Sequence, residues 1–73
     1  MGKNRIIQDL CGNRYYINEA RDMQGTFLEV SEIVTVEGKE MKTYLCDIGL
    51  PISSPDDDIL DDIDDLKAKI LKD

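Results

Sequence analysis

Two pairs of turn-forming residues, Gly12-Asn13 and Glu37-Gly38, each lie between two runs rich in β-branched and aromatic residues. Glycine and asparagine tolerate the positive φ angles that tight hairpin turns require. The sequence therefore predicts two antiparallel β-hairpins within residues 1–50. The polar segment Ala20–Gly25 joins them and is too short for a helix of normal length.

The second hairpin has a predicted register, because apolar and polar residues alternate along both of its strands. With Glu37-Gly38 as a two-residue loop, the facing pairs are Val34–Met41, Glu32–Thr43 and Val30–Leu45. One face then collects the apolar residues Leu28, Val30, Val34, Val36, Met41 and Leu45. A slip of one residue would expose this whole set, so the register should be firm. Glu32 interrupts the apolar face, which predicts a β-bulge near Ser31-Glu32 or a place at the sheet margin.

The first hairpin is predicted in the same way, with Gly12-Asn13 as a two-residue loop. The facing pairs are then Leu10–Tyr15, Gln8–Ile17 and Ile6–Glu19. Directly paired residues share a face of the sheet. The predicted apolar face of this hairpin is therefore Ile6, Leu10, Tyr15 and Ile17.

Residues 55–72 carry a helical pattern, and residues 51–55 form a linker before it. Ser54 suits the N-cap and Pro55 the first helical position. The apolar residues Ile59, Ile63, Leu66 and Ile70 recur at helical spacing. Six aspartates occupy the opposite arc: Asp57, Asp58, Asp61, Asp62, Asp64 and Asp65. This spacing predicts an acidic amphipathic helix whose apolar seam packs on the sheet.

These elements predict one small domain over residues 1–73, with an α+β fold. Residues 1–50 form the β-hairpin body, either as a four-stranded antiparallel sheet or as a small open barrel. The C-terminal helix covers the apolar side of that body. A chain of 73 residues buries a thin core, so a second subunit is an expected source of stability.

The chain has few of the residue types that catalysis or metal binding requires. The chain has no histidine, and its two cysteines, Cys11 and Cys46, form no C-x-x-C pair. We therefore expect no enzyme, no metal site and no cofactor. We interpret both thiols as half-buried packing residues in a reducing, cytoplasmic setting, since no signal peptide or membrane-spanning segment is evident.

Charge is concentrated in the last third of the chain. Residues 51–73 carry a net charge of −5 and residues 1–50 a net charge of −2, which together give −7. An acidic helix suits a basic protein surface and opposes direct binding to nucleic acid. Only a faint basic and aromatic footprint is present, in Arg5, Arg14, Arg21, Tyr15 and Tyr16.

The favoured functional hypothesis is a small, non-enzymatic protein-binding module. The six aspartates would bind a basic partner and could mask its nucleic-acid-binding surface, as phosphate mimics do. Short acidic chains of this kind are often accessory or inhibitor proteins of phages and mobile elements, which is an association only.

Two other hypotheses stay open. One is a homo-oligomer that binds a small molecule or nucleotide between subunits, lined by Ala20–Gly25 and residues 51–55. The other is a structural subunit of a larger assembly. The candidate oligomer interface comprises Ile33, Tyr44, Leu60 and Leu71.

Overall fold

The structure is a computed structural model that describes residues 4–72, with side chains described for residues 4–70. Its elements are the strands β1 (Asn4–Gln8), β2 (Arg14–Asp22), β3 (Gly25–Val36) and β4 (Lys39–Ile48), followed by the helix α1 (Asp56–Lys72). The four strands form one open antiparallel sheet in the order β1-β2-β3-β4. The predicted α+β class is confirmed, and of the two alternatives for the body the structure has the sheet rather than the barrel.

β2 pairs with β3 along its whole length, so the segment Ala20–Gly25 is not a separate connector. β2 continues to Asp22, which is paired with Gly25 across the two-residue turn Met23-Gln24. The carboxylate of Asp22 accepts the N–H of Gln24 at 2.8 Å. Gly25 has a φ of 130°, a conformation open to glycine and strained for other residues.

The predicted register of the first hairpin is wrong. The observed pairs include Ile7–Tyr15, Ile6–Tyr16 and Gln8–Arg14, and the loop runs from Asp9 to Asn13. This offset of three residues turns β1 over. Ile7 is buried under the helix, whereas Ile6 is 56% exposed and Leu10 lies fully in solvent.

The side chain of Asp9 explains the longer loop. Its carboxylate accepts the N–H groups of Cys11 and Asn13 at 3.0 and 2.8 Å, and also the Asn13 side-chain amide at 3.0 Å. The Asp9 N–H in turn donates to the Asn13 carbonyl at 3.0 Å. Aspartate caps turns by such local bonds, so the turn begins at Asp9 and Gly12-Asn13 is only its end.

The predicted pairs Val34–Met41 and Glu32–Thr43 of the β3–β4 hairpin are confirmed. Glu37 and Gly38 both have positive φ, 52° and 80°, as the tight turn requires. Between Val30 and Ser31 the register shifts by one residue, so Val30 pairs with Cys46 and not with Leu45. The predicted bulge therefore exists, but the extra residue, Leu45, belongs to β4.

The core lies between α1 and one face of the sheet. Ile59 and Ile63 of the helix are fully buried, and they share one cluster with buried residues of all four strands: Ile7, Tyr15, Ile17, Leu28, Val30 and Ile48. Leu50 and Ile52 of the linker and Leu60 and Leu66 of the helix pack around that cluster. The bulge turns Cys46 toward this side, where it is half-buried as predicted. Val36 and Met41, predicted in the apolar set, are about half exposed.

The start of α1 is tied to the edge strand β1. The helix begins at Asp56, one residue later than predicted, and the Pro55 carbonyl accepts the N–H of Ile59 at 3.3 Å. The Arg5 guanidinium donates to the Ser54 carbonyl and pairs with the Asp56 carboxylate at 3.0 Å. Arg5 therefore links β1 to the start of α1, and its charge is paired within the chain.

A polar cluster holds the other half of α1. The Lys67 ammonium donates to the hydroxyl of the fully buried Tyr15 at 3.0 Å and lies 3.9 Å from the Glu32 carboxylate. The hydrogen bond to Tyr15 is the main cause that raises the pKa of Lys67, and Glu32 adds to it. Glu32, which interrupts the apolar pattern of β3, is thus matched by a lysine from the helix.

Candidate functional site

A groove of about 640 Å³ runs between the Asp9–Asn13 loop and α1, and we call it the loop–helix groove. Its lining residues come from both elements: Asp9, Leu10, Cys11, Asn13, Asp57, Leu60, Asp61, Asp64 and Lys67. The helix contributes its residues at intervals of three and four, which places them along one side of the helix. The groove thus joins a row of carboxylates to an apolar patch.

The apolar part of the groove comes from the loop and from the middle of the helix. Leu10 is fully exposed, because the five-residue loop lifts it away from the sheet. Cys11 beside it is also exposed, contrary to the packing role predicted for it, and is a free thiol. Leu60 is half-buried, so it packs against the core and still reaches the groove.

The carboxylate of Asp9 accepts hydrogen bonds from the backbone and a side chain of its own loop. The Asn13 side-chain amide is the main cause that lowers the pKa of Asp9, and the Asn13 and Cys11 N–H groups add to the effect. Asp9 therefore stays charged to a lower pH than an ordinary aspartate. Its negative charge adds to those of Asp57, Asp61 and Asp64, while Lys67 supplies the one positive charge of the groove lining.

The six predicted aspartates do not all face the same surroundings. Asp57, Asp61 and Asp64 line the groove, whereas Asp58, Asp62 and Asp65 are not among its lining residues. Of the six, Asp62 is half-buried and the others are exposed. Burial is the main cause that raises the pKa of the Cys46 thiol, and the charges of Asp47 and then Asp62 add to it.

The residues predicted for an oligomer interface are scattered. Leu60 borders the groove, and Tyr44 lies on the opposite face of the sheet with 60% of its surface exposed. Ile33 is also on that opposite face but is only 9% exposed, so it offers little surface to a neighbour. Leu71 lies outside the residues whose side chains are described.

Sequence reasoning missed the contribution of the first loop to the groove. The signal was present as an Asp and an Asn four residues apart, Asp9 and Asn13, around a glycine. That pattern is typical of an Asx-capped turn, but the Gly-Asn pair suggested a shorter loop. The short loop placed Leu10 in the core.

A second, shallow depression of about 320 Å³ lies at the end of the β2–β3 hairpin. Its lining is Asp22, Gln24, Gly25, Thr26, Phe27 and Asp47. It includes part of the segment Ala20–Gly25 proposed for a small ligand, but none of residues 51–55. Within residues 4–72, no group of three or more acidic or cysteine side chains is arranged to hold a metal ion. The same residues contain no helix long and apolar enough to cross a membrane.

Comparison with protein-family models, with curated proteins and with solved structures gives no match. Function must therefore be inferred from the geometry and charge of the chain itself.

Proposed function

We propose that this chain is a non-enzymatic binding module that docks on a basic surface of another protein through the loop–helix groove. In this proposal α1 acts as an acidic amphipathic helix. Its inner side holds the core, and its outer side presents carboxylates to the partner. Where the basic surface of the partner binds nucleic acid, docking would mask it.

The observation that carries the proposal is that acidic and apolar side chains line one groove. A solvated acidic face needs no apolar neighbour, yet Leu10 stands fully exposed beside the row Asp57, Asp61 and Asp64. Protein interfaces combine a desolvated apolar anchor with charged groups around it. The charges steer the encounter and select the partner, while the anchor contributes to the lifetime of the complex.

The groove also limits which aspartates take part. A surface that acts only through net charge would use all six aspartates equally. Docking in the groove would depend on Asp57, Asp61 and Asp64 far more than on Asp58, Asp62 and Asp65. The chain therefore supplies two sets of equal charge, each with one residue in the first helical turn, so the loss of helix-dipole stabilisation is matched.

The test compares D57N/D61N/D64N with D58N/D62N/D65N. Immobilised wild-type chain and both variants are used to capture proteins from the source cell at two salt concentrations. A captured protein is then purified, and its association rate is measured by stopped flow. We expect the groove variant to associate about tenfold more slowly, with a flatter salt dependence, and the matched variant to change much less.

Leu10→Ser tests the apolar anchor separately from the charges. Leu10 is fully exposed, so the free energy of unfolding should change by no more than about 0.5 kcal/mol. The dissociation rate should rise while the association rate stays near the wild-type value. Docking in the groove would be refuted if both triple variants lost the same fraction of the association rate and Leu10→Ser left the dissociation rate unchanged. Only the total acidity of the helix would then matter.

A further inference from the structure

The face of the sheet opposite α1 is not covered by any described element, and we call it the open face. The register places most of its side chains in three rows across the strands, with the pairs Ala20–Phe27 and Thr35–Glu40 beyond them at the two ends. The central row is Ile6, Tyr16, Ser31 and Tyr44. On one side lies the basic row Gln8, Arg14, Ile33 and Lys42, and on the other lies the acidic row Asn4, Asn18, Glu29 and Asp47.

The central row holds the exposed large apolar residues of the open face. Ile6 and Tyr44 are 56% and 60% exposed, at the two edge strands, and Tyr16 lies half-buried between them. The Lys42 ammonium sits 3.8 Å from the centre of the Tyr16 ring. Aromatic residues with a charged rim are typical of protein interfaces.

We propose that the open face binds a second copy of this chain, face to face, about a two-fold axis that runs along the central row between the two sheets. This rotation places Tyr16 and Tyr44 of each chain opposite their own counterparts. It also places the basic row of each chain over the acidic row of the other. An isologous contact of this kind requires a self-complementary surface, and the two flanking rows supply it.

The direction of the axis follows from charge. On β4 the rotation brings Lys42 over Asp47 of the second copy, and this pair occurs twice. On β2 it brings Arg14 over Asn18, whose amide lies 3.4 Å from Glu29. An axis along the strands would instead place the two basic rows together and the two acidic rows together, so no charged pair of opposite sign would form. Arg14 also pairs with Glu40 in its own chain at 3.2 Å. Lys42 and Asp47 therefore contribute most of the charge complementarity between the two copies.

A single-stranded nucleic acid on the tyrosines is the competing occupant. Stacking platforms of that type combine aromatic rings with a positive groove along the backbone. Here Glu29 and Asp47 lie beside the aromatic row on β3 and β4, where they would repel the phosphates of a bound strand. The opposite charges of the two flanking rows favour a second copy of the chain over a nucleic acid.

The experiment uses two reciprocal charge reversals, K42E and D47K. The rotation opposes these two positions, so each variant alone should face like charges across the interface. Sedimentation velocity over a concentration series should show a wild-type dimer and two monomeric variants. An equimolar mixture of K42E with D47K should recover the dimer, because both opposed pairs become attractive. The mixed pair carries the same total charge as two wild-type chains, so net repulsion does not differ.

K39E is the matched control. Lys39 is exposed on the same strand, but its partner Val36 places it on the side of the sheet that bears α1. This variant should dimerise like the wild type. Circular dichroism of every variant checks the fold. A wild-type chain that stays monomeric at its highest soluble concentration would overturn the proposal. So would a dimer that K42E and D47K leave intact, or variants that fail to recover a dimer when mixed.

Discussion

The sheet has two faces that differ in what holds their side chains. Under α1, six buried strand residues pack against Ile59 and Ile63, and Lys67 pairs with Tyr15 and Glu32. On the open face, Ile33 is the one buried hydrophobic residue described outside that cluster. The remaining side chains form rows of opposite charge around two tyrosines. Most of the buried apolar area therefore lies on the covered face, and no described element covers the open face.

Removal of the helix is the strongest test of this difference. Truncation after Gly49 removes the buried Ile59 and Ile63 and exposes the core face of the sheet. Each buried aliphatic side chain contributes roughly 1.5–3 kcal/mol, and a domain of this size has a total stability of about 5 kcal/mol or slightly more. We expect the truncated chain not to fold. A well-dispersed NMR spectrum of the truncated chain would contradict a core that depends on α1.

A pair of isoleucine substitutions compares the two faces directly. Ile63→Ala removes a fully buried side chain from the covered face and should cost about 2–5 kcal/mol. Ile6→Ala removes the same atoms from the open face, where Ile6 is mostly exposed, and should change stability by about 0.5 kcal/mol or less. Urea denaturation at concentrations where the chain is monomeric measures both. Similar losses of unfolding free energy in Ile63→Ala and Ile6→Ala would mean that the two faces contribute equally to stability.

Ile33 is the residue most able to contradict this difference in stability between the two faces, because it is buried on the open face. Its neighbours on the adjacent strands are Arg14 and Lys42, whose long side chains can cover it while their charged ends stay in water. Those flexible chains can also collapse into a cavity. We expect Ile33→Ala to cost about 2 kcal/mol, at the low end of the usual range. A cost above that of Ile63→Ala would show a second core on the open face.

The polar cluster under α1 is tested by Tyr15→Phe, which removes the hydroxyl that Lys67 donates to. The expected loss is about 1 kcal/mol at neutral pH, as for an ordinary hydrogen bond. The folded-state pKa of Lys67 is raised above the ordinary 10.5. Its contribution is therefore fully present below that value and is lost as the pH rises through the folded pKa. The difference between wild type and variant, measured by urea denaturation, should narrow at alkaline pH. A constant difference would assign the loss to packing.

The sequence predicted the β3–β4 register well and the β1–β2 register poorly, for a physical reason. Glu37-Gly38 adopts positive φ at both positions, so the two-residue turn that its chemistry favours is the one that forms. At Gly12-Asn13 a nearby carboxylate, Asp9, offers three hydrogen bonds to a longer loop. Strand alternation could not distinguish Ile6 from Ile7, because two adjacent isoleucines satisfy either face.

The candidate site was predicted only in part, for the same reason. The helical spacing identified Asp57, Asp61 and Asp64 as one arc with three other aspartates. The position of the Asp9–Asn13 loop decides which of these aspartates line the groove, and that position depends on the register of β1. The groove is therefore a tertiary feature that local patterns do not contain. The same holds for the rows of the open face, which need β2 paired directly with β3.

The smallest expected effect concerns the Asp9–Asn13 loop, which is held by polar bonds rather than by packing on either face. Asp9→Asn keeps one acceptor oxygen but loses the charge and the bond from the Asn13 amide. The folded-state pKa of Asp9 is lowered below the ordinary 3.8. Its stabilisation is thus present above that value and is lost as the pH falls through the folded pKa. The variant should unfold at slightly lower urea than the wild type at pH 7, and this difference should shrink in acid.

Asp22→Asn is the control for this effect, since Asp22 caps the β2–β3 turn by accepting the Gln24 N–H. We expect a smaller shift of the urea midpoint there. A loop loosened at Asp9 would also let Leu10 leave the groove, so Asp9→Asn should weaken partner binding more than it weakens the fold. If stability at both pH values and partner binding were unchanged, the loop would be held by its backbone bonds and by Gly12. In that case the carboxylate of Asp9 would count only as one more charge in the groove.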